Sequence, residues 1–137
     1  MADMCIFCKI ANGEIPSNCL YEDELVKVIL DLSPASKGHA LIIPKRHAND
    51  LFELDEETKA HVLQGATTVG AALKKTLNAD GINIMQNNGE AAGQTVMHFH
   101  MHIIPRYKGD GLQLFPSGES TPEELKEIRD KVVAELN

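Results

Sequence analysis

The segment from residue 98 to residue 104 reads HFHMHII, with three histidines separated by single apolar residues. Because side chains alternate between the two faces of a β-strand, a strand here places His98, His100 and His102 on one face and the apolar residues between them in a core. Imidazole is a good nucleophile toward phosphorus, and its pKa near neutrality lets it act without a metal-bound water. The segment therefore predicts nucleophilic and acid–base chemistry, with zinc ligation by two of the histidines as the alternative.

Binding of one metal ion by all three histidines is disfavoured by their spacing. At a rise of about 3.3 Å per residue, neighbouring histidines are roughly 6.6 Å apart and the outer two are roughly 13 Å apart. A zinc ion binds its ligands at only about 2 Å. A zinc hydrolase built on this triad alone is therefore not expected.

A loop rich in glycine and asparagine precedes these histidines. Residues 87–95 read NNGEAAGQT, and the two glycines allow the tight backbone that directs N–H groups at an anion. Side-chain amides and a hydroxyl add further donors. Most such loops are simple turns, but this one lies directly before three aligned histidines and so predicts a phosphate held beside a nucleophile.

Cys5 and Cys8 form a Cys-x-x-Cys pair near the N-terminus. A redox role needs a thioredoxin-like βαβ pattern, which the following sequence lacks. Two thiolates with two imidazoles make a closed structural zinc site, and the alternative is a pair of buried cysteines that bind nothing. Cys19 is expected to be a buried or idle thiol, and His61 to be solvated or to pack rather than to ligate.

The elements that position these residues are strands and two helices. A helix is predicted over Asp55–Leu77 with Asp55 as its N-cap, and a C-terminal helix begins at a capping box of Thr121 and Glu124. Short connections favour an antiparallel sheet over repeated crossovers, so the fold class is α+β. The predicted strands cover residues 21–30, 39–44, 82–85 and 95–104, with a turn over 31–38 and a loop over 86–94.

Both predicted helices carry apolar residues at helical spacing. The stripe of the long helix consists of Leu63, Ala66, Gly70, Leu73 and Leu77. The stripe of the C-terminal helix consists of Leu125, Ile128, Val132 and Leu136. Together with an exposed sheet edge, the first stripe offers more apolar surface than one small core covers. Its small residues let a partner helix approach closely, so we expect a homodimer.

The whole chain has the size and composition of one folded domain. Its 137 residues are 43% hydrophobic and 24% charged, which excludes disordered and fibrous classes. A formal charge of -7 argues against general nucleic-acid binding, which depends on a basic surface. No apolar run approaches the roughly 20 residues of a membrane-spanning helix, and the N-terminus lacks a signal-peptide pattern. We therefore expect a cytoplasmic protein that partners neither nucleic acid nor membrane.

These motifs together resemble the histidine triad (HIT) superfamily of nucleotide hydrolases and transferases. The family pattern is His-φ-His-φ-His-φ-φ, with φ apolar, and residues 98–104 fit it at every position. Further blocks lie in family order, namely CIFCKI at 5–10, DLSP at 31–34, HALIIPKRH at 39–47 and GQTV at 93–96. Within the family the chain looks most like the branch of nucleoside phosphoramidate hydrolases and its zinc-binding bacterial relatives.

The resemblance implies one HIT domain over residues 1–137, with a core of about 5–107 and a C-terminal extension over 108–137. The implied fold is α+β, with a mainly antiparallel five-stranded sheet, one long helix and a C-terminal helix. The sheets of two protomers would join across a homodimer. The segment after Arg106 would then lie near the partner's nucleotide site.

The resemblance also assigns roles to single residues. His100 would attack the α-phosphate to give a nucleotidyl-histidine that water resolves, His102 would assist the leaving group, and His39 would support the triad from a neighbouring strand. The implied nucleotide-binding residues are Asp31 for the ribose, Leu32 for the base, and Asn87, Gly93, Gln94 and Thr95 around the phosphate. In bacterial relatives with this N-terminus, one structural zinc per chain is held by residues that match Cys5, Cys8, His47 and His98.

The function expected from the resemblance is hydrolysis or transfer of a purine nucleoside monophosphate derivative, such as a phosphoramidate. A dinucleoside polyphosphate hydrolase uses the same triad and remains an alternative. A nucleotide-binding interaction module is the alternative outside enzymes, and the aligned nucleophile argues against it. The chain has no Trp, whereas one branch places a Trp-containing tail beside the partner's active site, so the motif does not indicate the leaving group.

Overall fold

The computed structural model describes residues 4–113 and 115–137, and its centre is a five-stranded sheet. The strands are β1 (Cys19–Glu22), β2 (Val26–Leu30), β3 (Ala40–Pro44), β4 (Gly81–Gln86) and β5 (Met101–Arg106). Their order is β1-β2-β3-β5-β4, and every neighbouring pair is antiparallel. The helices are α1 (Ile6–Ala11), α2 (Glu56–Leu77) and α3 (Pro122–Leu136), with 3-10 turns at Leu51–Glu53 and Glu90–Ala92. The predicted α+β class with a five-stranded antiparallel sheet is confirmed.

The central strands are buried on both faces. Successive side chains point to opposite faces, so Ala40 and Ile42 of β3 join the core under α2 while Leu41 and Ile43 join a second core under α1. All five residues of β3 are buried. The sheet therefore supports a long helix on one side and leaves its other side to α1 and the candidate site.

The long helix begins and ends close to the predicted residues. The Asp55 carboxylate accepts the N–H of Thr58 at 2.7 Å, and Asn78 ends the helix in the left-handed conformation. The buried stripe contains Val62, Ala66, Val69, Gly70 and Leu73. Leu63 of the predicted apolar stripe is 61% exposed, which agrees with the expectation that this stripe is larger than its own core covers.

Two predicted strands are wrong in extent. The segment 21–30 is not one strand, because Asp23 Oδ1 accepts the N–H groups of Leu25 and Val26 at 2.8 and 2.9 Å and turns the chain between β1 and β2. The segment 95–104 is also not one strand, since β5 begins only at Met101. The Phe99 N–H donates instead to the carbonyl of Ala48 at 2.7 Å.

The C-terminal helix forms as predicted and buries none of its residues. The Thr121 hydroxyl and the Glu124 carboxylate form the expected reciprocal capping box, with Pro122 at the first turn. The apolar stripe is exposed over its full length, at Leu125, Ile128, Val132 and Leu136. Within the described residues, no helix is long and apolar enough to cross a membrane.

Two further predictions concern single side chains. The Cys19 thiol is exposed and donates to the Tyr21 carbonyl at 3.4 Å, so of the two expected alternatives, buried or idle, the buried one is wrong. His61 is partly buried, and its Nδ1 lies 3.0 Å from the carboxylate of Asp23. His61 therefore joins α2 to the turn between β1 and β2.

Candidate active site

The three histidines of the HFHMHII segment lie in different settings rather than on one strand face. His98 and His100 precede β5 and are 0% and 8% exposed, whereas His102 lies within β5 opposite Leu41. The rings of His100 and His102 are adjacent, with centroids 5.2 Å apart. The structure therefore places the imidazoles of His100 and His102 side by side, and the imidazole of His98 in a different site.

The tautomer of His100 follows from a backbone carbonyl. His100 Nδ1 lies 2.8 Å from the carbonyl oxygen of His98. A carbonyl can only accept, so Nδ1 carries the hydrogen and Nε2 of the neutral ring keeps its lone pair. This arrangement leaves an unprotonated nitrogen available as a nucleophile.

The tautomers of His39 and His102 follow from a chain of hydrogen bonds. The Ala35 N–H donates to His39 Nδ1 at 2.9 Å, so neutral His39 carries its hydrogen on Nε2. His39 Nε2 lies 2.9 Å from His102 Nδ1 and donates to it, which leaves the hydrogen of neutral His102 on Nε2. We call this chain, from Ala35 through His39 to His102, the imidazole relay.

Burial keeps the relay neutral. It lowers the pKa of His39, although the nearby Asp31 carboxylate opposes this effect. It lowers the pKa of His102 to about 4, with His100 and His39 as further causes. Both rings are therefore uncharged near pH 7, as the tautomer argument requires.

A cavity of about 510 Å³ opens beside these rings, a volume typical of small-molecule sites. His100 and His102 line it together with the predicted residues Asp31, Leu32 and Thr95. Its remaining walls are mainly apolar and come from α1, the following loop and the strands β2 and β3, including Ile6, Phe7, Ile10, Ile15, Pro16, Ile29 and Leu41. The cavity thus combines apolar walls with a nucleophilic nitrogen and a ring N–H.

The buried side chain of the glycine-rich loop bonds to backbone groups and so holds the shape of the loop. The Gln94 amide is 3% exposed, accepts the Gly89 N–H and donates to the carbonyls of Asn49 and Val96. Gly93 adopts a φ of +99° beside the Asn87 amide. Of the four phosphate-site residues expected in this loop, Thr95 lines the cavity, and Asn87, Gly93 and Gln94 are not among its lining residues.

Cys5, Cys8, His47 and His98 converge at a second place, where one ligand atom from each lies within 4.8 Å of the others. Cys5 Sγ is 3.4 Å from His98 Nδ1, and Cys8 Sγ is 3.3 Å from His47 Nδ1 and 3.4 Å from His98 Nδ1. Ligands around a tetrahedral zinc are about 3.3 to 3.8 Å apart, given zinc–nitrogen and zinc–sulfur bonds of about 2.0 and 2.3 Å. The spacing of the four groups is therefore close to that of a zinc site.

The hydrogen bonds of the two histidines strengthen this fit. His98 Nε2 donates to the Pro44 carbonyl at 2.8 Å, and His47 Nε2 donates to Asn49 Oδ1 at 3.0 Å. Both Nδ1 atoms therefore keep lone pairs, yet they face each other at 3.1 Å. Two facing lone pairs repel unless a cation lies between them. Burial lowers the pKa of His98 to about 4, so this ring does not supply that cation as a proton.

Asp31, His39 and His102 form another group of possible metal ligands within 4.8 Å. Here the hydrogen bonds argue against a metal. His39 accepts from Ala35 at Nδ1 and donates to His102 at Nε2, so neither nitrogen has a lone pair to offer. The group is a hydrogen-bond relay, and the cysteine-containing group is the one that fits a metal ion.

The protein-family comparison decides which family these sites belong to. The model of the HIT domain matches residues 12–109. The chain is a member of the HIT family. Its relatives include the adenosine 5'-monophosphoramidase of Schizosaccharomyces pombe, which is 41% identical over 134 residues, or 96% of this chain and 98% of the relative.

Solved structures of HIT proteins share the complete fold. A HIT family protein from Bacillus anthracis matches 100% of both chains with a TM-score of 0.90 and 41% identity. A Zn-bound histidine triad family protein from Mycobacterium smegmatis matches with a TM-score of 0.78 and 38% identity, covering 98% of this chain and 96% of that one. The predicted family and fold are confirmed.

Sequence reasoning missed the cavity wall formed by α1. Ile6, Phe7 and Ile10 line the cavity, and the Phe7 ring meets the His100 ring edge to face with centroids 4.9 Å apart. The signal is present in the sequence, because CIFCKI holds three large apolar residues between and after its two cysteines. Its cysteines indicate a metal site, and its apolar residues indicate the cavity wall.

Proposed function

We propose that this HIT protein hydrolyses, or transfers, a purine nucleoside monophosphate group from a phosphoramidate or a related derivative through a nucleotidyl-His100 intermediate. One observation carries the proposal: the free lone pair of His100 Nε2 and the ring N–H of His102 belong to adjacent rings in the wall of one cavity. A nucleophile next to a proton donor is the arrangement that displacement at phosphorus requires.

The chemistry follows from the two tautomers. His100 Nε2 attacks phosphorus, the phosphorus–nitrogen bond breaks with its electron pair on the leaving nitrogen, and that nitrogen takes the proton from His102 Nε2. Water then attacks the nucleotidyl-histidine and returns a proton to His102, while His100 recovers its electron pair. The His39 N–H on His102 Nδ1 stabilises the His102 ring during the interval in which it lacks its Nε2 proton.

The cavity supports a substrate with an apolar ring and one phosphate. Apolar walls suit a nucleobase, and the Asp31 carboxylate at the rim can accept ribose hydroxyls. No Lys or Arg is among the described residues that line the cavity. Several phosphates would bring charges that these neutral donors compensate poorly, so the site favours phosphoramidates over dinucleoside polyphosphates. The Schizosaccharomyces pombe relative is an adenosine 5'-monophosphoramidase, which agrees with this choice.

We further propose one structural zinc ion held by Cys5, Cys8, His47 and His98. Their donor types, their separations and the two facing Nδ1 lone pairs support it, as does the Zn-bound relative from Mycobacterium smegmatis. Zinc in a closed site of this type crosslinks segments and supplies no reactive water. It would tie α1 to the segments that carry His47 and His98.

Replacement of His100 tests the proposed function. The variant His100→Ala should lose nearly all turnover of an adenosine phosphoramidate while AMP binding persists, because the cavity walls remain. His61→Ala removes a histidine outside the cavity and should leave turnover unchanged. Brief mixing of the wild type with substrate, followed by mass spectrometry, should show an adenylate on His100.

Three outcomes would count against the proposal. Turnover by His100→Ala within about tenfold of the wild type, a loss of only ~1.4 kcal/mol, would mean that another group is the nucleophile. A higher kcat/KM on a dinucleoside polyphosphate than on the phosphoramidate would favour the polyphosphate alternative. Tight nucleotide binding with no turnover of either substrate would favour an interaction module.

A further inference from the structure

The loop between β2 and β3 supplies the first donor of the imidazole relay. The Ala35 N–H on His39 Nδ1 is a backbone donor from a loop whose residues 32–35 are exposed. An exposed loop holds such a bond only if its neighbours are fixed. The relay therefore depends on whatever anchors residues 35–38.

Ser36 is the nearest anchor. Its hydroxyl donates to the carbonyl of Pro105 at 2.6 Å, and its own carbonyl accepts the His39 N–H at 3.1 Å. Pro105 is fully buried in β5, three residues after His102. The hydroxyl thus ties the residue next to Ala35 to the same strand that carries His102.

The other end of the loop is also held. The Tyr107 hydroxyl donates to the Lys37 carbonyl at 2.9 Å. Gly38 has a φ of +91°, and a Cβ there would collide with the Leu77 side chain of α2. The positive φ of Gly38 suits glycine and the Tyr107 bond holds residue 37, so the Ser36 hydroxyl is the side-chain bond nearest the Ala35 N–H.

Loss of the Ala35 bond would change which nitrogen of His102 carries the hydrogen. His39 without this donor can carry its hydrogen on Nδ1, which leaves a lone pair on Nε2 facing His102. His102 then donates from Nδ1 and has a bare Nε2. In that tautomer His102 has no proton for the leaving group.

We propose that Ser36 is a positioning residue for leaving-group protonation: its hydroxyl holds the Ala35 N–H on His39 and so keeps the donor hydrogen of His102 on Nε2. The kinetic consequence rests on the proposed function. The tautomers of His39 and His102 do not, and they can be measured without any substrate.

The kinetic test compares two leaving groups. In Ser36→Ala, kcat for an adenosine phosphoramidate of an alkylamine should fall by about tenfold or more, a part of the roughly 10²-fold to 10⁴-fold that acid–base catalysis contributes. Its KM should not change. Adenosine 5'-(4-nitrophenyl phosphate) releases a phenolate that needs no proton, so its kcat should stay within about twofold.

Two matched variants control for unspecific damage to the loop. Ser33→Ala removes a hydroxyl from an exposed position of the same loop and should behave as the wild type on both substrates. Ser36→Thr keeps the hydroxyl and should restore the amine-releasing reaction. An equal fall on both leaving groups, or no fall on either, would overturn a positioning role.

Imidazole 15N–1H correlation spectra give a readout independent of turnover. The wild type, Ser33→Ala and Ser36→Thr should show His39 and His102 protonated on Nε2, and Ser36→Ala should show a substantial Nδ1–H population. Unchanged tautomers in a folded Ser36→Ala protein would refute the inference. If the wild type turns over neither substrate, the proposed function fails, and the tautomers alone decide the role of Ser36.

Discussion

Single hydrogen bonds decide what each histidine of the triad can do. The Pro44 carbonyl takes the Nε2 hydrogen of His98 and turns its Nδ1 lone pair toward the cysteines. The His98 carbonyl takes the Nδ1 hydrogen of His100 and frees Nε2. Three side chains of one type, two residues apart, therefore separate into a candidate ligand, a candidate nucleophile and a candidate proton donor.

Hydrogen bonds also shift the pKa values of the ion pair between His61 and Asp23. The hydrogen bond with Asp23 raises the pKa of His61, against a smaller opposing effect of burial. Burial raises the pKa of Asp23, but hydrogen bonds from His61 and from the Leu25 and Val26 N–H groups outweigh it and bring this pKa to about 2. The charged pair thus joins α2 to the turn between β1 and β2.

Stability should depend on pH through this pair. A raised His61 pKa stabilises the fold below its ordinary value of 6.5, and this contribution is lost as the pH rises through the folded value. A lowered Asp23 pKa stabilises the fold above its ordinary value of 3.8, and this contribution is lost as the pH falls toward about 2. The Tm difference between the wild type and His61→Gln should therefore be largest between about pH 4 and 6.5.

Thermal melts of both proteins from pH 4 to pH 9 measure this difference. The other histidines titrate equally in the two proteins and cancel in the comparison. A Tm difference that stays constant from pH 5 to pH 9 would contradict the proposed contribution of the ion pair.

At the scale of elements, the six-residue helix α1 contributes to both the candidate zinc site and the cavity. Cys5 caps its N-terminus and Cys8 lies within it, and both belong to the candidate zinc site. Phe7 and Ile10 lie between and after the cysteines and line the cavity. A helix this short is unstable alone, so its position depends on packing and on the group that its cysteines hold.

Removal of the metal should therefore weaken nucleotide binding as well as stability. Elemental analysis of the purified protein should find one zinc per chain. Chelation should lower Tm and raise the dissociation constant for AMP by about tenfold, equivalent to ~1.4 kcal/mol, and added zinc should restore both. Titration calorimetry and thermal melts provide the two measurements.

Two cysteine variants separate this effect from general damage to thiols. Cys8→Ser should reproduce the effect of chelation, and Cys19→Ser should not, because Cys19 is exposed and lies outside the cluster. A metal-free protein of equal stability would refute the zinc site. A chelated protein that melts earlier but binds AMP unchanged would show that α1 is held by packing alone.

The elements also show where sequence patterns are reliable. The capped helices and the strand β3 were predicted nearly to the residue, because capping side chains and dense apolar runs are local signals. The strand predicted over 95–104 is too long at its start, because β5 begins only at Met101. His98, Phe99 and His100 keep the alternating pattern and are buried, but they do not pair with a neighbouring strand of the sheet. Phe99 pairs with Ala48, a contact between distant segments that no local pattern contains.

The candidate site shows the same limit. The triad and the cysteine pair were predicted from their types and spacing, and His47 from the resemblance to HIT proteins; the structure brings Cys5, Cys8, His47 and His98 together. The Ala35 N–H and the Ser36 hydroxyl were not predicted, because a backbone donor has no sequence signature and a serine in a turn has many roles. Tautomers are set by such groups, so the chemistry of the site emerges only from the fold.

On the scale of the whole molecule, one edge of the sheet carries apolar surface on both a strand and the neighbouring helix. β4 is an edge strand, Ile84 on it is 47% exposed, and Leu63 of α2 is 61% exposed. The two residues line one shallow cavity together with Ala66 and Gly70. An unpaired strand beside an apolar helix face is a surface that a second copy can cover.

We therefore predict a homodimer that joins two sheets at β4 and packs α2 against its counterpart. Gly70 and Ala66 permit close approach of the two helices. The exposed stripe of α3 adds apolar surface that the same protomer does not cover. Light scattering at micromolar concentration should give the mass of two chains.

Variants at the two edges of the sheet test this interface. Ile84→Glu places a charge in the predicted interface, where burial without a partner is costly, and should give a folded monomer. Leu20→Glu makes the same chemical change on β1, the opposite edge strand, and should remain a dimer. Truncation after Lys108 removes α3 and should weaken dimerisation without unfolding the domain, because α3 buries nothing in its own protomer. A monomeric wild type, or a dimeric Ile84→Glu, would show that β4 is not where two copies meet.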